Sequence, residues 1–167
     1  QVEAMNQPLR VLLDTNGYDP FLEDSDLSKL LNAIGANKIL VYGFKVVRQE
    51  LRDIPKNILY EKQNFRIVTL KLYDKIVQNH EYGLTPFVEK LAQEYSEFYA
   101  GTRSKDKMRK DFLIVACASI HQLDVLASNG HQTMLSDDAI KTYTKVNIEN
   151  ELPLPTFYSV DEFKKLL

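Results

Sequence analysis

Several features that mark common enzyme classes are scarce or missing in this 167-residue sequence. It has a single cysteine, Cys117, so an internal disulfide framework and a thiolate zinc site are both excluded. It contains no Gly-rich phosphate loop, no Gly-x-Gly-x-x-Gly and no Gly-x-Ser-x-Gly, which argues against kinases, dinucleotide enzymes and α/β hydrolases. The histidines, His80, His121 and His131, are too scattered to indicate a zinc site. Candidate chemistry must be sought among other side chains.

Long apolar runs are also missing. No segment approaches the roughly 20 apolar residues that a membrane-spanning helix needs. Residues 1–7 lack the charged-then-apolar plan of a secretory signal. We therefore expect no contact with a membrane, and the single cysteine fits a protein of the reducing cytoplasm.

Size and charge set further bounds. With 44% apolar residues, the chain has enough material for one real core, and we predict a single domain over residues 1–167. The net charge is -2 and the isoelectric point is near 6.0, whereas nucleic-acid-binding proteins are often basic overall. Any argument for nucleic-acid binding must therefore rest on local charge.

The apolar pattern alternates strands with helices. It predicts strands over residues 9–14, 38–42, 65–70, 124–128 and 156–159. It predicts helices over 24–35, 46–54, 72–77, from 86 to before Gly101, over 112–120, and from 137 and 161. Because parallel strands are joined by right-handed helical crossovers, this order indicates an α/β protein with a mainly parallel sheet of about five strands covered on both faces.

Three acidic residues lie next to segments that must pack. Asp14 ends the first predicted strand, Glu50 interrupts the apolar pattern of a helix, and Asp111 lies in the first turn of a helix that is apolar all round. Such positions converge on the carboxyl edge of a parallel sheet, where a buried carboxylate is costly without a cation. The three acids therefore indicate a cage of oxygen ligands for a hard divalent cation.

Each acid also has a simpler explanation. Asp14 is suited to capping a turn, Glu50 to a solvated helix face, and Asp111 to capping the helix that follows it. Phosphoaspartyl enzymes and receiver domains also place an acid after the first strand. However, Asp14-Thr15-Asn16 lacks the Asp-x-Asp-x-Thr arrangement of the former.

A basic segment precedes Asp111. Residues 103–110 carry five cations, and four of these are our candidate substrate-binding residues, namely Arg103, Lys107, Arg109 and Lys110. A phosphate backbone held there would lie beside the acids, because phosphate contacts position a nucleic acid on a protein. The alternative is a solvated loop with no substrate contact.

Three sequence blocks resemble the signature motifs of PIN domains. They are Leu12-Leu13-Asp14-Thr15-Asn16, the glutamate of Val47-Arg48-Gln49-Glu50-Leu51, and the segment from Lys110-Asp111-Phe112 to Cys117-Ala118. The resemblance implies a three-layer α/β/α nuclease in which Asp14, Glu50 and Asp111 bind Mg²⁺ or Mn²⁺ and direct water at a phosphodiester, often in RNA. It also implies polar support from Thr15 and Asn16.

The fourth acid common in this family is replaced here by Asn129, in Leu126-Ala127-Ser128-Asn129-Gly130. We predict Asn129 as the fourth catalytic residue, since an amide oxygen can ligate a metal or its water without adding charge. The missing charge would then come from Asp137, as an accessory residue, or from Asp138. The alternative for Asp137 is that it caps the helix beginning there.

The resemblance predicts a metal-dependent ribonuclease acting on single-stranded RNA, with DNA as an alternative because nothing in the sequence is specific for a 2′-hydroxyl. It further suggests the toxin of a prokaryotic toxin-antitoxin pair, with an antitoxin-type protein partner and a homodimer. The competing hypothesis is a PIN-like module that binds nucleic acid or protein and has lost catalysis. Metal-dependent cleavage would separate the two.

Overall fold

The computed structural model describes residues 7–167 as an alternation of strands and helices. The strands are β1 (Leu9–Leu13), β2 (Ile39–Phe44), β3 (Leu59–Tyr60), β4 (Gln63–Asn64), β5 (Glu81–Tyr82), β6 (Val125–Ala127) and β7 (Thr156–Tyr158). The helices are α1 (Asp24–Gly35), α2 (Lys45–Arg52), α3 (Phe65–Val77), α4 (Pro86–Phe98), α5 (Lys105–Ile120), α6 (Asp137–Glu149) and α7 (Val160–Lys164). Most of the segment used for the signal-sequence prediction, residues 1–6, lies outside the described residues. Within residues 7–167, no helix combines the length and apolarity needed to span a membrane.

A parallel sheet of five strands, in the order β5-β2-β1-β6-β7, forms the centre of the fold. Its middle strand is β1, in which Leu12 is paired with Tyr42 on one side and with Leu126 on the other. Successive side chains of a strand point to opposite faces, and Val11, Leu12 and Leu13 are all fully buried. Both faces of the sheet are therefore covered, and the predicted α/β class with a central parallel sheet is confirmed.

The central helix α5 is longer than predicted. It begins at Lys105, where the Ser104 hydroxyl caps it by accepting from the Lys107 N–H at 3.2 Å. Asp111 therefore lies about two turns inside the helix, and its predicted place in the first turn is wrong. The basic segment before it is helical from Lys105 onward rather than a loop. The first part of the helix was not predicted because its residues are mostly charged and show no apolar pattern, although such residues form helices readily.

The strand predicted over residues 65–70 is wrong, because this segment is the first half of α3. Asn64 caps the helix by accepting from the Ile67 N–H at 3.2 Å. The side chains buried within it recur at helical rather than alternating spacing, and they are Thr69, Leu72, Tyr73, Ile76 and Val77. Short apolar runs do not distinguish a strand from a helix, and packing decided the case here. The fifth strand of the sheet is instead β5, which pairs with the end of β2.

One glycine allows α3 to lie directly against β2. A Cβ placed on Gly43 would approach Val77 Cγ1 to 2.7 Å and would come closer still to the Tyr73 hydroxyl. We expect Gly43→Ala to lower the free energy of unfolding by about 1–3 kcal/mol, the usual cost of overpacking a core. Urea denaturation would measure it. Gly35→Ala is the matched control, because a Cβ there meets nothing within 4 Å, and its stability should be equal or slightly higher.

Candidate active site

A cavity of about 360 Å³ contains the three predicted acids. Asp14 follows β1, Glu50 projects from α2, and Asp111 projects from α5. The other lining residues are Thr15, Asn16, Asp19, Leu51, Ile54, Phe65, Thr69 and Thr133. Acids that are 36 and 61 positions apart along the chain (50 − 14 and 111 − 50) thus share one polar cavity because the fold brings their three elements together.

Asp14 is the most deeply buried of the acids, with 5% of its surface exposed. Its carboxylate accepts hydrogen bonds from the Thr15 N–H at 2.7 Å and from the Ser128 hydroxyl at 2.6 Å. Burial raises the pKa of Asp14, and these two donors partly oppose the rise. The Asp14 backbone N–H donates to the Ala127 carbonyl at 2.9 Å, so both main chain and side chain fix the carboxylate at the end of the strand.

Glu50 is held from two directions. The Thr15 hydroxyl donates to its Oε1 at 2.9 Å, and Lys110 Nζ lies 3.9 Å from its Oε2. Burial raises the pKa of Glu50, while the hydrogen bond from Thr15 and the charge of Lys110 lower it. Thr15 therefore links the first two acids, because its N–H donates to Asp14 and its hydroxyl donates to Glu50.

Ionisation of Asp111 is also disfavoured in the cavity. Burial raises its pKa to about 7, with further contributions from the negative charges of Asp14 and Glu50, and a hydrogen bond with Thr133 acts in the opposite sense. Carboxylates that share a desolvated site disfavour one another's ionisation. The cavity therefore concentrates negative charge that a bound cation would relieve.

The donor chemistry of the cavity fits a hard divalent cation such as Mg²⁺ or Mn²⁺. The side-chain donors lining it are carboxylate, amide and hydroxyl oxygens, and neither histidine nor cysteine takes part. Across residues 7–167, no three His, Cys, Asp or Glu side chains are gathered closely enough to hold a metal ion as they stand. The acids thus share a cavity and repel one another without forming a compact chelating group.

Burial of Asp111, together with the repulsion from Asp14 and Glu50, has a measurable consequence for metal-free protein. An acid whose folded pKa lies above its unfolded value of 3.8 costs stability once the pH rises from about 4 through about 7. At pH 8 in EDTA we expect Asp111→Asn to raise the free energy of unfolding by about 1–3 kcal/mol, at roughly 1.4 kcal/mol per pKa unit less an allowance for relaxation. At pH 4 the gain should vanish. Asp137→Asn, at an exposed acid outside the cavity, is the control. Equal unfolding curves for Asp111→Asn and wild type at pH 8 would contradict the prediction.

Asn129 and Asp137 are not among the residues that line the cavity. The Asn129 Oδ1 accepts from the Val160 N–H at 3.3 Å, and its backbone N–H donates to Asn16 Oδ1 at 3.0 Å. Asp137 is exposed at the start of α6, where the cap is Ser136, so the expectation that Asp137 caps this helix is wrong. The structure brings together the three acids with Thr15 and Asn16, but neither candidate for the fourth position.

A fourth acid of the cavity, Asp19, escaped the sequence analysis. It lies in the short 3-10 helix Asp19–Phe21, and desolvation raises its pKa. The nearness of Asp19 to Asp14, five residues earlier in the sequence, was the one indication of its role, but the segment between them shows no periodicity. Ser128 and Thr133 were missed for the same reason, because a hydroxyl that supports an acid from a distant loop leaves no pattern in the sequence.

The four predicted substrate-binding cations are placed differently from one another. Lys110 reaches Glu50, and Lys107 lies one helical turn before Asp111 on α5. Arg109 instead lines a separate cavity of about 320 Å³ beside α4. Arg103 donates to the Gln132 carbonyl at 2.6 Å and to Gln132 Oε1 at 3.2 Å. Lys107 and Lys110 are thus the cations on the same part of α5 as the acid.

Comparison with solved structures identifies the fold. A crystal structure of FitAcB from Neisseria gonorrhoeae matches with a TM-score of 0.54 and 17% identity, covering 78% of this chain and 93% of the matched one. A structure of FitAB bound to an IR36 DNA fragment matches with a TM-score of 0.54 and 12% identity, covering 90% and 94%. VapBC2 from Rickettsia felis, bound to a DNA fragment from its promoter, matches with a TM-score of 0.50 and 12% identity, covering 90% and 98%.

No protein-family model and no curated protein matches the sequence. At 12–17% identity, the likeness to these structures establishes architecture and leaves activity to be tested. The described chain shares with them a parallel-sheet α/β fold with flanking helices. The architecture predicted from the sequence, with helices covering a central parallel sheet, is thereby confirmed.

Proposed function

We propose that this protein is a divalent-metal-dependent nuclease that hydrolyses phosphodiester bonds of single-stranded RNA. The observation that carries the proposal is the meeting of Asp14, Glu50 and Asp111, from three separate elements, in one polar cavity at the sheet edge. Gathering three carboxylates in a partly buried cavity is unfavourable for folding, so their presence together points to a function at this place. The likeness to the FitAB and VapBC2 structures supports the fold on which the proposal rests.

In this proposal Asp14, Glu50 and Asp111 hold Mg²⁺ or Mn²⁺. Such an ion, when bound, supplies Lewis-acid chemistry, because it lowers the pKa of water and neutralises charge developing on the phosphate. Thr15 and Ser128 keep the carboxylate of Asp14 oriented, as their hydrogen bonds indicate. No protein nucleophile is required.

In this proposal, the cations of α5 contact the phosphates of the substrate. Lys110 is 57% exposed and lies 3.9 Å from Glu50, so it is able to turn toward a phosphate in the mouth of the cavity. Lys107, one turn earlier, would hold the next phosphate by charge alone. Contacts of this kind position the backbone of the nucleic acid and do not select its sequence.

We assign to Asp19 the role of the fourth acid, which the resemblance had placed at Asn129. The Asn129 amide oxygen is engaged with the Val160 N–H, whereas Asp19 lines the cavity beside the other acids. A charge at Asp19 compensates for the neutral side chain at position 129. The cavity would then carry four carboxylates.

A protein partner is the second part of the proposal. The resemblance to PIN-domain toxins suggests an antitoxin-type protein, and the compared structures are of FitAcB, FitAB and VapBC2. We propose that such a partner binds this chain as well, and that the chain forms a homodimer. Co-expression with the neighbouring gene and size-exclusion chromatography with light scattering would test both.

The decisive experiment is cleavage of a labelled, partly single-stranded RNA by the full chain in Mg²⁺, Mn²⁺ or EDTA. Cleavage that needs the metal and stops in EDTA is expected, and a DNA of the same sequence shows whether the sugar matters. Cleavage that persists in EDTA would point to a contaminating nuclease. An absence of cleavage on RNA and on DNA in both metals would overturn the proposal.

An inactive binding module is the second candidate function. It is favoured by the neutral Asn129 and by the finding that the acids of residues 7–167 do not form a compact chelating group. Under this hypothesis the chain binds nucleic acid in EDTA as tightly as in Mg²⁺ and cleaves in neither. The same experiment therefore separates the two functions.

A further inference from the structure

A small hairpin stands beside the acid cavity. Its strands β3 and β4 pair antiparallel, with Tyr60 opposite Gln63, and Glu61 and Lys62 form the turn with φ values of 47° and 67°. Two successive residues with positive φ are typical of the tight turn that suits the twist of a hairpin. The Phe65 N–H donates to the Ile58 carbonyl at 2.9 Å, which closes the base. The hairpin is therefore a built element with a fixed shape.

Side chains of this hairpin and of the first turn of α3 form an apolar and aromatic surface, in which the aliphatic side chains are exposed and the rings of Tyr60 and Phe65 are half-buried. We call it the hairpin surface and define it as Ile58, Leu59, Tyr60, Phe65 and Ile67. Leu59 is 65% exposed, Ile67 46% and Ile58 42%. The Tyr60 ring lies 6.3 Å from the Phe65 ring, and Phe65 itself lines the acid cavity. The surface is thus continuous with the rim of the candidate active site, and exposed apolar patches commonly mark binding sites.

The charges around the hairpin surface fit a phosphodiester chain. The Arg66 guanidinium lies at the base of the hairpin, where its Nη1 donates to the Arg52 carbonyl at 3.4 Å. The backbone of Lys56 lies there too, since its carbonyl accepts from the Asn64 side chain at 3.1 Å, so the chain carries three cations in this region. The acids Glu23, Asp24 and Glu61 lie near the Tyr60 hydroxyl. Phosphates are therefore favoured at the base of the hairpin and disfavoured at Tyr60, which leaves the Tyr60 ring for an uncharged group.

We propose that the hairpin surface binds an unpaired base of a single-stranded nucleic acid, next to the phosphodiester in the acid cavity. The base stacks on the rings of Tyr60 and Phe65, while the backbone follows the cations at the base of the hairpin. Aromatic rings accept any base in this way, but only when the base is free of a duplex. The position of the phosphodiester in the acid cavity rests on the proposed function. The stacking of a base on Tyr60 and Phe65 does not depend on it.

Binding in EDTA tests this inference apart from catalysis. The probe is a short single-stranded RNA carrying one 2-aminopurine, whose fluorescence is quenched on stacking, together with the same sequence as single-stranded DNA and as a duplex. We expect Tyr60→Ala to weaken single-strand binding by about tenfold or more and to abolish the quenching, as loss of one stacking ring does elsewhere. Tyr60→Phe keeps the ring and should bind like wild type.

A control variant removes an exposed ring elsewhere. Phe87 on α4 is 73% exposed and does not line the cavity, so Phe87→Ala should leave binding unchanged. Wild-type affinity in Tyr60→Ala, equal affinity for duplex and single strand, or no binding of any probe by wild type would each overturn the inference. Equal RNA and DNA affinities would support stacking and exclude recognition of the 2′-hydroxyl.

The outcome for the nuclease is independent of this result. Stacking at Tyr60 without cleavage in Mg²⁺ or Mn²⁺ supports the hairpin inference and overturns the proposed function. Metal-dependent cleavage that is the same in Tyr60→Ala and in wild type, with no quenching in either protein, overturns the inference and supports the nuclease. A thermal melt of each variant checks that the fold is kept.

Discussion

Asp14→Asn is expected to lower the rate of metal-dependent cleavage at least about 100-fold, the typical loss when one group that stabilises transition-state charge is removed. Asp14 is the most buried acid of the cavity and is fixed by Thr15 and Ser128, so no neighbour is able to take its place. The substitution removes the charge but keeps an oxygen acceptor and the size of the side chain. Its effect should fall on catalysis and metal affinity. Folding stability should change as well, because the substitution removes both a buried charge and one of the two acceptor oxygens, so a thermal melt accompanies the kinetic measurement.

Single-turnover cleavage in Mn²⁺ and a Mn²⁺ titration followed by electron paramagnetic resonance would measure the two effects of Asp14→Asn. Asp137→Asn is the matched control, because it removes the same charge from an exposed position outside the cavity and should leave both unchanged. If Asp14→Asn cleaves like wild type while its thermal melt is intact, the acid cavity is not the catalytic centre. The binding module would then become the preferred function.

Asp19→Asn is expected to reduce cleavage by about tenfold or more and to weaken Mn²⁺ binding, since loss of a ligand or of its supporting partner typically costs about 10–100-fold. Asn129→Ala should change cleavage much less, because its amide oxygen accepts from Val160 and its side chain does not line the cavity. The loss of that hydrogen bond should instead lower the free energy of unfolding by about 0.5–1.5 kcal/mol. The two variants therefore show whether the fourth acid's role belongs to Asn129, as the resemblance suggests, or to Asp19, as the cavity suggests.

Cleavage by each variant at saturating and at limiting Mn²⁺, with urea denaturation in parallel, would make the comparison. A loss in Asp19→Asn that is restored by excess metal would place its effect on metal affinity. The reverse pattern, with full activity in Asp19→Asn and a large loss in Asn129→Ala, would return the fourth position to Asn129.

The apolar segments were predicted well where burial leaves a clear pattern. Residues 11–13 of strand β1 and residues 112–118 of α5 are buried and apolar without interruption, and both elements were located from sequence. The segment 65–70 was assigned wrongly because six residues of mixed apolar character fit either period. The first part of α5 was missed because its exposed charges carry no pattern, although Ser104 provides an ordinary cap.

Sequence alone determined the alternation of strands and helices, the parallel sheet and the three acids Asp14, Glu50 and Asp111, because each acid adjoins a segment whose packing is fixed by its own apolar residues. Only the tertiary structure decided which polar groups join them. Asp19, Ser128 and Thr133 approach the acids, and Asn129 turns to Val160, through contacts between loops. Such contacts depend on where the sheet places the ends of its strands, and the residues that make them show no periodicity from which a sequence pattern could predict them.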